Sequence, residues 1–116
     1  MAETLIVFID DNKSRQNHVA KLISQGSYAK VIVACKEGFP LPDFLDNAYV
    51  IKFNPSMTTT ELSDYFYQKI NIKDFEVHLN IICGEGREHT AMISALVRRG
   101  IGIRFAVVTN EGVKEL

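Results

Sequence analysis

The run Leu5-Ile-Val-Phe-Ile9, closed at once by Asp10-Asp11-Asn12, decides the fold class of this chain. It is apolar throughout, rich in β-branched residues and free of the polar alternation that marks a half-exposed strand. Such a run predicts a strand buried on both faces, as in a parallel sheet. Four more runs of the same kind follow: Lys30-Val-Ile-Val-Ala-Cys35, Tyr49-Val-Ile-Lys-Phe53, Val77-His-Leu-Asn-Ile-Ile-Cys83 and Ile103-Arg-Phe-Ala-Val-Val108. Helical patterns separate them. Asn12 to Gln25 places Val19, Leu22 and Ile23 on one face, with Gly26 as the expected C′ residue. Thr58-Thr-Thr-Glu61 is a capping box, followed by the stripe Leu62, Phe66, Ile70. Glu88 to Arg99 carries Met92, Ala95 and Leu96 at helical spacing and stops at Gly100. Lys36 to Ala48, with Pro40 and Pro42, has room only for a short helix near Asp43 to Asp46. Strands alternating with helices predict an α/β fold: a three-layer α/β/α sandwich with a mostly parallel five-stranded sheet.

The length of 116 residues is that of one domain, expected to span 1–116. With 47% hydrophobic and 23% charged residues the composition is that of a globular protein and excludes disordered and fibrous classes. Thirteen basic against fourteen acidic side chains leave a net charge of −1, so no whole-protein field attracts nucleic acid or an anionic membrane. Any such binding has to come from a local patch. No apolar run approaches the roughly 20 residues of a membrane helix, and no export signal opens the chain, so a cytoplasmic protein with no membrane partner is expected. Cys35 and Cys83 form neither a Cys-x-x-Cys pair nor a zinc spacing and are expected to be reduced thiols.

In a sheet of this type a ligand site lies beyond the carboxyl ends of the strands. Those ends read Asp10-Asp11-Asn12, Asn54-Pro55-Ser56, Gly84-Glu85-Gly86-Arg87-Glu88 and Thr109-Asn110-Glu111. Acids dominate, and Glu61 and Asp64 on the first turns of the second helix point toward the same edge. Asp10, Asp64 or Glu61, and Glu85 or Glu88 are therefore candidates to converge, and clustered carboxylates call for a hard cation such as Mg²⁺ or Mn²⁺. That chemistry suits phosphodiester hydrolysis. Each acid also has a structural reading. Asp11 or Asn12 can cap the next helix, Glu61 belongs to the capping box, and Asp64 and Glu88 complement helix dipoles. Of the histidines, only His89 begins a helix near the acids. The basic groups Arg98, Arg99 and Arg104, and Lys13, Arg15 and Lys21, read as solvated faces.

These motifs carry a resemblance. Leu5-Ile-Val-Phe-Ile-Asp-Asp-Asn, Lys30-Val-Ile-Val-Ala-Cys with Phe39-Pro, Tyr49-Val-Ile-Lys-Phe, Leu62-Ser-Asp64, Leu79-Asn-Ile-Ile-Cys-Gly-Glu85 and Leu96-Val-Arg-Arg-Gly-Ile are similar, in order and over nearly the whole chain, to the PIN-like nuclease superfamily, including its NYN branch. The resemblance implies a Mg²⁺- or Mn²⁺-dependent nuclease acting on RNA in preference to DNA. Asp10, Asp64 and Glu85 would be its catalytic and metal-holding residues, with Asp11, Glu61, Glu88 and His89 as additional members. A protein partner, or a second copy of the chain, completing the substrate groove is a further expectation. Glu85 and Glu88 stand where the family carries aspartates, which leaves room for a degenerate member that binds without cutting. The chain also resembles a response-regulator receiver in Asp10-Asp11 and the following helix. It has Asn54 and Thr109-Asn110 where a receiver needs its phospho-accepting aspartate and its lysine. That alternative is a non-catalytic pseudo-receiver.

Overall fold

A computed structural model describes residues 3–116. Its elements are β1 (Thr4–Phe8), α1 (Lys13–Gly26), β2 (Lys30–Lys36), a 3₁₀ turn (Asp43–Leu45), β3 (Tyr49–Phe53), α2 (Thr59–Lys69), β4 (Glu76–Asn80), α3 (Gly86–Arg98), β5 (Gly102–Thr109) and β6 (Gly112–Glu115). The sheet order is β3-β2-β1-β4-β5-β6, parallel except for β6, which runs antiparallel to β5. Crossovers β1→β2 and β2→β3 move one way along the sheet, while β3→β4 and β4→β5 move the other way. With right-handed connections, these opposite directions put α1 and the 3₁₀ turn on one face and α2 and α3 on the other. The result is the α/β/α sandwich expected from the sequence.

β1 lies at the centre of this arrangement. Leu5, Ile6, Val7 and Phe8 are all buried, in register with Val31 to Ala34 of β2 on one side and, from Leu5 to Val7, with β4 on the other. On the α2 side, Phe66 meets both Phe8 and Phe53 edge-on at centroid distances of 6.3 and 5.7 Å. The stripe Leu62, Phe66, Ile70 is buried, and the Thr58–Glu61 capping box is formed in both directions. Cys35 and Cys83 are buried free thiols. Among the described residues no helix is long and apolar enough to cross a membrane.

Three features differ from the sequence-based expectation. The sheet has six strands, because Asn110-Glu111 turns the chain back and Gly112–Glu115 pairs with β5; that short segment has no apolar run to announce it. β4 ends at Asn80 instead of Cys83, because the Asn80 side chain takes over from the backbone ladder. Its Oδ1 accepts from the Ile82 N–H at 3.1 Å and its Nδ2 donates to the Ala106 carbonyl at 2.9 Å. Gly26 is the last residue of α1 and not its C′ residue; Ser27 takes the left-handed position with φ 53°.

Gly26 is needed for space. A Cβ there would lie 2.2 Å from Cε2 of Tyr28, whose hydroxyl is held by the buried His78. Alanine would gain roughly 0.5–1 kcal/mol of helix propensity, but forcing a methyl into packed atoms costs about 1–3 kcal/mol. Gly26→Ala is therefore expected to lower stability in urea unfolding. Gly86→Ala, where nothing lies within 4 Å, is expected to leave it unchanged or raise it; equal effects would contradict this packing.

Candidate functional site

β1 and β4 are neighbours, yet the chain leaves them toward opposite faces, α1 on one side and α3 on the other. A crevice opens where such connections diverge. Here it is a cleft of about 300 Å³ lined by Asp10, Asp11, Arg15, Lys36, Glu85 and Glu88 together with Ile9, Phe39, Phe53 and Gly84.

Asp10 spans the crevice. Its Oδ2 accepts from the Gly84 N–H at 3.0 Å and from Arg15 Nη1 at 3.1 Å, and its Oδ1 accepts from the Asn12 N–H at 3.0 Å. Burial alone would raise its pKa. The Gly84 and Asn12 N–H groups, the Arg15 guanidinium and the Cys83 thiol together outweigh burial and hold the carboxyl below the usual aspartate value. The same contact keeps Cys83 protonated: burial first, and the Asp10 charge second, push the thiol up to about 11. Asn12, not Asp11, caps α1, accepting from the Arg15 N–H at 3.0 Å; Asp11 is exposed at the cleft mouth.

The other wall is built by the turn Cys83-Gly84-Glu85. Gly84 has φ +92°, and a side chain there would press on Glu88 Oε1, His89 Nε2 and Phe8. This turn aims consecutive N–H groups in two directions, Gly84 toward Asp10 and Glu85 toward Glu88 Oε1 at 3.2 Å. His89 Nε2–H donates to the Cys83 carbonyl at 2.6 Å and its ring stands edge-on to Phe8, so it buttresses the turn. Glu85 projects outward and pairs loosely with Lys36 at 3.4 Å, both side chains half-exposed.

Glu88 is the unusual member. It is 2% exposed, and its Oε2 is buried with no hydrogen-bond partner. Burial is the main cause raising its pKa above the usual glutamate value; the Glu85 charge adds to this, and the Glu85 N–H, Lys36 and Arg87 oppose it. The sequence carried a signal for this burial, because Glu88, Met92 and Ala95 share a spacing of four and three, which puts the carboxyl on the buried stripe of α3.

The structure does not bring Asp64 to this cleft. Asp64 pairs with Arg98 at 2.9 Å on the outer seam between α2 and α3. Its neighbour Ser63 meets Ser94, about 12 Å down α3 from Gly86 at 1.5 Å per residue. Glu61 also stays outside, occupied by the Thr58 N–H at 2.9 Å. His78 is bracketed by Tyr28 and Glu115, and His18 accepts from Asn80 Nδ2 at 3.1 Å, both remote from the acids. Arg15, Lys36 and the two phenylalanines were not among the sequence candidates, because strand pairing gathers them from four separate segments. Among the described residues, no three His, Cys, Asp or Glu groups stand close enough to form a ready ligand set. In sequence, the chain matches no protein-family model and no curated protein.

The two inner carboxyls should act oppositely on stability. Glu88, with its raised folded pKa, contributes stability that is present below the unfolded glutamate value and lost as pH rises through the folded one. Asp10, with a lowered value, contributes above the unfolded aspartate value and loses that contribution as pH falls through the folded one. Denaturant unfolding from about pH 4 upward should thus find Glu88→Gln gaining on wild type as pH rises. Asp10→Asn should cost about 1–3 kcal/mol near neutrality, with the deficit shrinking in acid. Parallel pH profiles for all three proteins would contradict these assignments.

Proposed function

We propose that this chain is a metal-dependent nuclease acting on RNA, with Mg²⁺ or Mn²⁺ held between Asp10 and Glu88 and with Glu85 at the rim. The observation that carries this reading is the orphaned Glu88 Oε2, a buried carboxylate oxygen without a partner on a residue that lines the same cleft as Asp10. A buried carboxylate without a partner is costly unless it is protonated or meets a cation. Mg²⁺ characteristically takes one or two carboxylates, several waters and substrate phosphate, so two inner acids suit it without a third protein ligand.

When bound, the ion would supply charge neutralisation for hydrolysis of a phosphodiester. The chain's own groups supply the rest. Gly84 and Asn12 fix the two oxygens of the Asp10 carboxyl, and the Glu85 N–H fixes Glu88 Oε1, leaving Oε2 without a protein partner. Arg15 and Lys36 stand at the mouth as donors for phosphate oxygens. Phe39 and Phe53 form the dry side of the cleft. His89 positions the Gly84 turn and so acts through it.

The pseudo-receiver alternative is less well supported. Receivers have the flavodoxin-like strand order 2-1-3-4-5, whereas the order here is 3-2-1-4-5. At the end of β3 the Asn54 side chain is engaged in accepting the Ser56 N–H at 2.8 Å.

Calorimetric titration with Mn²⁺, paired with cleavage of a labelled single-stranded RNA, tests the proposal. Wild type is expected to bind the ion and cut. Asp10→Asn and Glu88→Gln should each lose at least the ~10–100-fold in affinity or activity that outer-shell changes already cost at metal sites. Asp64→Asn should keep both. Loss confined to Asp64→Asn, or intact binding and cleavage in Asp10→Asn, would overturn the site. No ion binding at millimolar Mn²⁺ would favour a non-catalytic interaction domain.

A further inference from the structure

The outer strand β3, together with Lys30 of β2 and one side of α2, forms a second groove of about 590 Å³ that the cleft chemistry does not use. Three lysines line it, Lys30, Lys52 and Lys69, against one carboxylate, Glu37. Two tyrosines lie among them. Tyr49 is 63% exposed with Lys30 Nζ 4.7 Å above its ring, and Tyr65 has Lys69 Nζ 5.5 Å from its ring centroid. Tyr65 is also fixed in place, its hydroxyl donating to the Lys52 carbonyl at 2.5 Å. On a chain of net charge −1 this is the kind of local basic patch that nucleic-acid binding requires. The arginines that look basic in the sequence are spent elsewhere: Arg98 and Arg99 cover Tyr67, and Arg104 pairs with Glu76.

Aromatic rings interleaved with cations are how proteins hold single-stranded nucleic acid without reading its sequence. Bases stack on the rings, and lysines follow the phosphates. A base arriving over Tyr49 would displace Lys30 from the ring face and free its ammonium for the adjacent phosphate. The groove and the cleft are lined by consecutive residues at the ends of β2 and β3. Cys35 pairs with Lys52 and Lys36 with Phe53, so Glu37 and Lys52 line the groove while the adjoining Lys36 and Phe53 line the cleft.

We infer that this Tyr49–Tyr65 groove along β3 is a binding track for single-stranded RNA that feeds the cleft. The choice of RNA over DNA rests on the nuclease reading; the binding chemistry does not.

Fluorescence anisotropy with a labelled oligouridine of roughly 10 nucleotides, within the span of known single-strand sites, tests the track in excess EDTA, so that neither ion nor cleavage enters the result. Wild type should bind in EDTA whether or not the cleft holds an ion, which keeps failure of the track distinct from failure of the metal site. Tyr49→Ala should weaken binding at least fivefold, while Tyr49→Phe, which retains the ring, should restore it. Lys52→Ala and Lys69→Ala, both surface changes expected to melt like wild type, should each weaken binding and lower the slope of log affinity against log salt by about 0.7. Absence of binding by wild type, or groove variants that bind like wild type, would overturn the inference. So would tighter binding of the duplex form than of the single strand. A concentration-dependent dimer broken by Tyr49→Ala, with no RNA affinity, would assign the strand edge to a second copy of the chain and equally overturn it.

Discussion

The side-by-side pairing of β1 with β4 governs everything else in this molecule. The two strands are separated by two helices, a 3₁₀ turn and two further strands, yet Leu5 to Val7 lie in register with His78 to Asn80. With right-handed connections on either side of that pairing, the chain has to leave β1 toward one face and β4 toward the other. The gap this creates is bridged by one carboxylate, Asp10, which reaches the Gly84 N–H across 74 positions of sequence. The contact satisfies a backbone donor at the strand end, and it also fixes an acid in the crevice that the β1–β4 divergence produces.

The electrostatic character of the cleft follows from the same geometry. Gly84 and Glu85 present neighbouring N–H groups to two different carboxylates, Asp10 and Glu88. Asp10 collects enough donors to remain ionised in spite of its burial. Glu88 collects one and is held toward its neutral form. Two acids with opposite displacements in one small site are a common sign of function, because an arrangement selected only for stability would have paired or removed the buried oxygen. Arg15 pairs with Asp10 and Lys36 with Glu85, so neither cation satisfies Glu88 Oε2, which stays buried without a partner.

Much of the fold could be read from the chain. The apolar runs located all five parallel strands, and Thr58-x-x-Glu61 placed the start of α2 to the residue, because a capping box is a local device whose partners are three positions apart. Local signals failed where a distant partner intervened. Gly26 looks like a helix stop, but its lack of a side chain serves the Tyr28 ring that the buried His78 holds. Asn80 ends β4 early by bonding to β5 and α1. β6 exists only because β5 offers it an edge. The site divided in the same way. The acids that follow β1 and β4 were visible as strand-end residues. Asp64 shares their residue type but not their location, because α2 turns it toward Arg98 on the outer seam. The burial of Glu88 was written in its helical spacing with Met92, a pattern masked by the usual role of glutamate in a first helical turn.

If the Asp10 and Glu88 carboxyls hold one cation together, both must respond to it. Carboxyl-carbon NMR titration of both side chains, without and with millimolar Mg²⁺, tests this most directly. A Glu88 midpoint above that of an ordinary glutamate is expected in the absence of the ion, with a pronounced fall when Mg²⁺ is added and the Asp10 resonance shifting in the same titration. Midpoints that ignore Mg²⁺, or a response of Asp64 in place of Glu88, would contradict a shared site.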